Sequence, residues 1–180
     1  MPTLWLVAIL FALAAVGFWA GRSRALASAQ GDIRNLHSLP HYYGANVAMS
    51  AALPAFFVMV IWLLAQPVVI EMQVSKWIPS AAVPENSSVS LVMSDVRRLA
   101  EGLDLAVELE VLSAVEANSI AADGRDLRAE LGAIGVVLGA EIRPEVLTAA
   151  QTYRGLAETG RSSMTVTVLC LALVGFVLSF

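Results

Sequence analysis

Charge is the scarcest commodity in this chain. Only 14% of its 180 residues are charged, against about a quarter in soluble domains. Residues 1–20, 42–70 and 162–180 hold no charged residue at all. There is one cysteine, Cys170. A single thiol forms no internal disulfide, so it carries no information about redox compartment. No Gly-x-x-x-x-Gly-Lys-Ser/Thr phosphate loop occurs, and no dinucleotide fingerprint occurs in its proper context. Strand signals are weak throughout. The three uncharged runs contain no Asp, Glu, Lys, Arg or His, which gives no support for an ion path through them alone.

What is abundant is apolar. The chain is 58% hydrophobic and its mean hydropathy is positive. Residues 1–20 form the first candidate span. Its apolar run, 4–20, lies at the short end for crossing a bilayer, where roughly 20 residues are typical, and residues 1–3 extend it. A cleaved signal peptide is the rival, with Ala25-Leu26-Ala27 as a faint cleavage site. Signal peptides carry their basic residues before the apolar run, and here they follow it. Residues 45–70 form the second span. As a helix its ~26 residues rise ~39 Å against a ~30 Å hydrocarbon core, so it tilts, kinks or projects. Pro54 removes a backbone donor there and is read as a tolerated kink. Tyr42, Tyr43 and the deeper Trp62 are candidate interface anchors, and Pro67 marks the approach to the far end. Residues 162–180 form the third span. It reaches the last residue without a charged stop, and the chain is expected to continue beyond 180.

Between the first two spans, residues 21–44 read as a basic loop, with Arg22, Arg24 and Arg34 against Asp32. Arg-rich short loops stay on the cytoplasmic side. That places the N-terminus and residues 71–161 on the periplasmic side of a bacterial inner membrane. The 71–161 block holds eight Lys/Arg and fourteen Asp/Glu, a net charge of minus six. An acidic domain argues against nucleic acid as a partner.

The acidic block has its own periodicity. A Pro/Ser linker runs over 77–88, and a helix starts near Ser88. Val92, Val96, Leu99 and Leu103 share one face of it, with Gly102 as a potential interruption. Leu105, Leu109, Leu112 and Val115 continue the stripe. Asp123-Gly124 is a turn signal. Leu127, Leu131, Ile134 and Leu138 form another stripe. The apolar stretch 131–140 is too short to cross a bilayer and reads as core, and its Gly135 and Gly139 give only a weak helix-approach pattern. Pro144 suits the first turn of a further helix. Val146, Ala149, Ala150, Tyr153 and Ala157 form its stripe, and Gly160 its stop. The fold class is all-α: three transmembrane helices plus a small helical extracytoplasmic domain of three or four amphipathic helices.

No chemistry-bearing constellation emerges. His37 and His41 lack a carboxylate or Cys to complete a metal set, and Pro40 stands between them against a regular helix. Glu108, Glu110 and Glu116 come without a nucleophile, a base or a pocket signature and read as a solvated helix face. Arg97 and Arg98 beside Asp95 read as an intrahelical ion pair rather than an anion site. Cys170 reads as a small apolar residue facing lipid or a neighbouring helix. The sequence thus assigns no catalytic, cofactor-binding or metal residue. It leaves ligand-binding residues unknown, and the piece reads as no enzyme.

Gly21-Arg22-Ser23-Arg24-Ala25, followed by Leu36-His37-Ser38-Leu39-Pro40-His41-Tyr42-Tyr43-Gly44, resembles the N-terminal domain of long-form bacterial phosphate ABC transporter permeases of the PstC type. Leu91-Val92-Met93-Ser94-Asp95-Val96-Arg97-Arg98-Leu99-Ala100 and Thr152-Tyr153-Arg154-Gly155-Leu156 are similar to it as well. The resemblance covers essentially the whole chain, and the His-Ser-Leu-Pro-x-Tyr-Tyr-Gly loop is its most specific part. It implies an inner-membrane complex and a part in phosphate import. The partners it implies are the permease core, a second permease subunit, cytoplasmic ATPase subunits and a periplasmic phosphate-binding protein, besides membrane lipids. The translocation path belongs to the permease core, so no transport residue carries over and the domain is expected to be an accessory. A chemoreceptor or histidine-kinase input module shares the layout of spans around an outer helical domain and stands as the alternative.

Overall fold

The computed structural model describes residues 3–30, 34, 36–79, 83, 88–121, 126–138 and 142–179. Six helices follow one another, α1 (Thr3–Ser28), α2 (Pro40–Ser75), α3 (Val89–Glu108), α4 (Ala114–Ser119), α5 (Leu127–Ala133) and α6 (Pro144–Leu178). There is no strand among the described residues. α1, α2 and α6 are each long and apolar enough to cross a membrane. The chain divides into two compact units. One comprises Met1–Leu64 and Arg161–Phe180, the other Ala65–Gly160.

Several helix limits differ from the expected ones. α1 runs on to Ser28, so the basic stretch 21–44 is helical over its first eight residues and not a loop there. α2 begins at Pro40 and is 36 residues long. Proline has no N–H to leave unsatisfied in a first turn, so it opens the helix, and His37 stays outside in a bend, so no regular helix carries both histidines, as expected. His41 is helical in consequence. Pro67 lies inside α2, which continues past it to Ser75. Gly160 does not stop the last helix either; α6 continues for 35 residues. Helix ends follow from how backbone groups are satisfied, not from where the charge pattern changes.

In the first unit, Leu6 and Leu10 of α1, Ala55 and Met59 of α2, and Met164, Val168 and Ala172 of α6 form the buried cluster. Trp62, a candidate interface anchor, packs against this cluster half-buried. Small residues let the backbones approach, as is usual between membrane helices. A Cβ on Gly44 would lie 2.5 Å from the Phe18 carbonyl oxygen, and one on Gly21 would lie 2.7 Å from Val47 Cγ2. A Cβ on Gly175 would collide with the Ser50 carbonyl oxygen.

In the second unit the stripe Val92, Val96, Leu99 and Leu103 is buried as expected. It meets Ile70 and Val74 of α2, Leu127 and Leu131 of α5, and Val146, Leu147 and Ala150 of α6. Ser88 caps α3 by accepting from Leu91 N–H. Gly102 does not interrupt α3. It is buried, and a Cβ there would meet Val136 Cγ1 at 2.9 Å. The stripe ends sooner than expected. α3 stops at Glu108, Glu110 takes a left-handed φ of 58°, and Leu109 and Val115 are exposed while Leu112 stays buried. Of 131–140, Leu131 and Leu138 are buried, Val137 is exposed, and α5 ends at Ala133. The expected turn Asp123-Gly124, Gly139, Asp32 and most of the 77–88 linker lie outside the described residues.

Candidate functional site

The second unit contains the most organised polar cluster. It is built around Arg154 on α6, the only buried charged side chain among the described residues. Its Nε donates to Asp104 Oδ1 of α3 at 2.8 Å, and its Nη1 donates to Asn118 Oδ1 of α4 at 2.8 Å. One turn earlier, Gln151 Nε2 donates to the Ile120 carbonyl at 2.9 Å and to the Ala117 carbonyl at 3.4 Å. α6 thus ties down α3 and the C-terminal half of the short α4. Guanidinium suits this position because its planar fork serves two acceptors at once. The Asp104 side chain is 45% exposed, so the pair is open to water on one side.

A second tie joins α2 and α6. Gln66 Nε2 donates to the Ala157 carbonyl at 3.0 Å. A Cβ on Gly160 would lie 2.6 Å from that same nitrogen. Gly160 therefore clears a path for Gln66; it is a packing position and not a helix stop.

The residues weighed for chemistry in the sequence are not brought together. His37 and His41 are exposed, and the His41 ring lies 4.3 Å from the Tyr42 ring. No group able to hold a metal ion occurs among the described residues. Glu108, Glu110 and Glu116 are all exposed, and Glu116 is in addition a cap. Its Oε2 accepts from Ser113 N–H at 2.8 Å while Ser113 Oγ accepts from Glu116 N–H at 3.1 Å, a reciprocal capping box. Arg97 pairs with Glu71 of α2 at 3.8 Å. The expected intrahelical pair does not form: among the described residues Asp95 makes no ion pair with Arg97, two positions on, or with Arg98, three positions on. Cys170 is exposed.

The polar ties order helices, and what the helices serve is read from the chain's likeness to known proteins. Residues 7–177 match the family described as phosphate ATP-binding cassette transporter. The chain belongs to that family. No curated protein and no solved structure matches it. Family membership and three apolar helices make it a membrane protein of phosphate ABC transport. The segments that carry the likeness to phosphate ABC transporter permeases are now placed. Gly21 and Gly44 sit where α1 and α2 touch, Pro40 opens α2, and Arg154 centres the polar cluster. Arg154 was legible as part of a motif, but nothing in the apolar periodicity flagged it as buried.

Proposed function

We propose that this chain is the N-terminal membrane domain of a phosphate ABC transporter permease subunit, an accessory and assembly domain and not the translocation path. The carrying observation is the family match across residues 7–177. It favours transport over the sensor layout. The accessory role is supported by the second unit having its own apolar core and a polar tie centred on Arg154. The uncharged runs of all three long helices carry no Lys, Arg or His to pair with an anion.

The domain lies in the bacterial inner membrane. Arg22, Arg24 and Arg34 hold the α1–α2 connection at the cytoplasmic face, and the N-terminus and residues 71–161 lie in the periplasm. Its partners are the permease core, the second permease subunit, the cytoplasmic ATPase subunits and the periplasmic phosphate-binding protein. It performs no catalysis.

Two measurements test this. In the full-length transporter, residues 71–160 are replaced by a flexible linker, and phosphate uptake and complex assembly are followed. A loss in either is expected, and unchanged values in both refute the accessory role. A reporter fused at Asn35 is expected to be active in the cytoplasm and one at Asp123 in the periplasm. The inverse pattern overturns the sidedness.

A further inference from the structure

The second unit holds an open pocket of about 310 Å³ between the end of α2 and the start of α6. Val74, Trp77 and Pro79 supply apolar walls, and Glu145, Thr148 and Thr152 supply the polar edge. Trp77 is exposed, at 69%. Thr148 Oγ1 donates to the Pro144 carbonyl at 2.9 Å, and Thr152 Oγ1 donates to the Thr148 carbonyl at 2.8 Å. Both hydroxyl protons are therefore spent on the helix backbone. The hydroxyl oxygens keep lone pairs for an incoming donor. With the Glu145 carboxylate, every side-chain oxygen at the edge is an acceptor. Among the described residues that line it none is cationic, and Glu145 is the one charged side chain.

We infer that this pocket receives the side chain of a lysine or arginine presented by a protein partner. Such a side chain has an apolar stem and a cationic head. The stem matches the Val74 and Pro79 walls, and the head is served by the indole face and the acceptor edge. The surrounding 71–161 block carries a net charge of minus six, which draws a basic partner surface towards it. The pocket stands on its own geometry and does not rest on the accessory role in phosphate import.

The test uses the full chain in zwitterionic phosphatidylcholine nanodiscs, with empty nanodiscs as the blank, because an anionic lipid would bind a lysine peptide by itself. The probe is the peptide acetyl-Gly-Lys-Gly-amide, with its Nε-acetylated counterpart as control, and binding is read by calorimetry. The lysine peptide is expected to bind and the acetylated one not to. Trp77→Ala and Glu145→Gln are each expected to weaken binding about two- to fivefold, the range of an exposed cation–π contact or surface ion pair. Thr148→Val, which keeps the side-chain shape, is expected to weaken it as well. Far-UV circular dichroism checks that each variant keeps its helices. Equal binding of both peptides overturns the inference, as does unchanged affinity in folded Glu145→Gln. Competition by phosphatidylethanolamine in the nanodisc would assign the pocket to a lipid headgroup and overturn it too.

Discussion

Replacing Arg154 by alanine removes two charge-assisted hydrogen bonds and the packing of a buried three-carbon stem. Bonds to charged groups contribute about 1.5–3 kcal/mol each when both partners are shielded. Here Asp104 is 45% exposed on its side chain, and Asn118 is exposed as well. Both acceptors recover water when the guanidinium leaves, so about 1 kcal/mol per bond is the better figure. The stem adds about 1–2 kcal/mol of lost burial. Arg154→Ala should therefore cost about 3–4 kcal/mol within the second unit. Arg154→Met keeps the stem volume and should cost about 1–2 kcal/mol. Asp104→Asn keeps an acceptor for Nε and should cost less than about 1 kcal/mol. The assay is native-state hydrogen exchange on the full chain in nanodiscs, reading the amides of Leu103 and Leu147 in this core. Both residues are buried there. An alanine variant with undiminished protection refutes the tie. A methionine variant as damaging as alanine would mean that the stem contributes nothing.

Glycines on one helix should respond oppositely. Gly155→Ala meets open space and should stabilise α6 by about 0.5–1 kcal/mol, whereas Gly175→Ala drives a Cβ into the Ser50 carbonyl and should cost about 1–3 kcal/mol; thermal unfolding in detergent separates them. Glu110→Gly relieves a left-handed φ of 58° and should raise the protection of the α3 end by about 0.5–1 kcal/mol in hydrogen exchange. Ser113→Ala breaks a capping box with a 3.1 Å bond and should cost about 1 kcal/mol, while Ser88→Ala, whose bond to Leu91 N–H is 3.4 Å, should cost less. The same exchange experiment compares the two caps.

The spans were legible because lipid imposes a composition, and three uncharged runs satisfy it. Their limits were not, because a helix does not end where hydrophobicity ends. Residues 21–28 carry two arginines and still continue α1. Arginine and alanine are good helix formers, so a change of polarity there removes no backbone partner. Gly160 costs about 1 kcal/mol against alanine inside a helix, and the Gln66 contact to Ala157 uses the space it leaves. The α3 stripe failed for the converse reason. Periodicity predicts which face is apolar while a helix lasts, but the turn at Glu110 ends that register, and Leu109 and Val115 face solvent.

The same logic explains why the motifs pointed to a family and to no reaction. Gly21, Gly44, Pro40 and Arg154 lie within the segments of likeness, and each has a mechanical reason in the structure. Two glycines permit a close helix crossing, a proline starts a helix, and an arginine joins three helices. Mechanical residues of this kind are recognisable only as fixed strings in sequence, since their partners are distant in the chain. Asp104 stands fifty positions from Arg154 and Asn118 thirty-six. Apolar periodicity sees separations of three and four, so it finds the walls of a core and passes over the polar tie through it. A domain in which Gly21, Pro40, Gly44 and Arg154 order helices is suited to presenting a surface, and the acceptor-edged pocket beside Trp77 is a surface feature with a chemistry of its own.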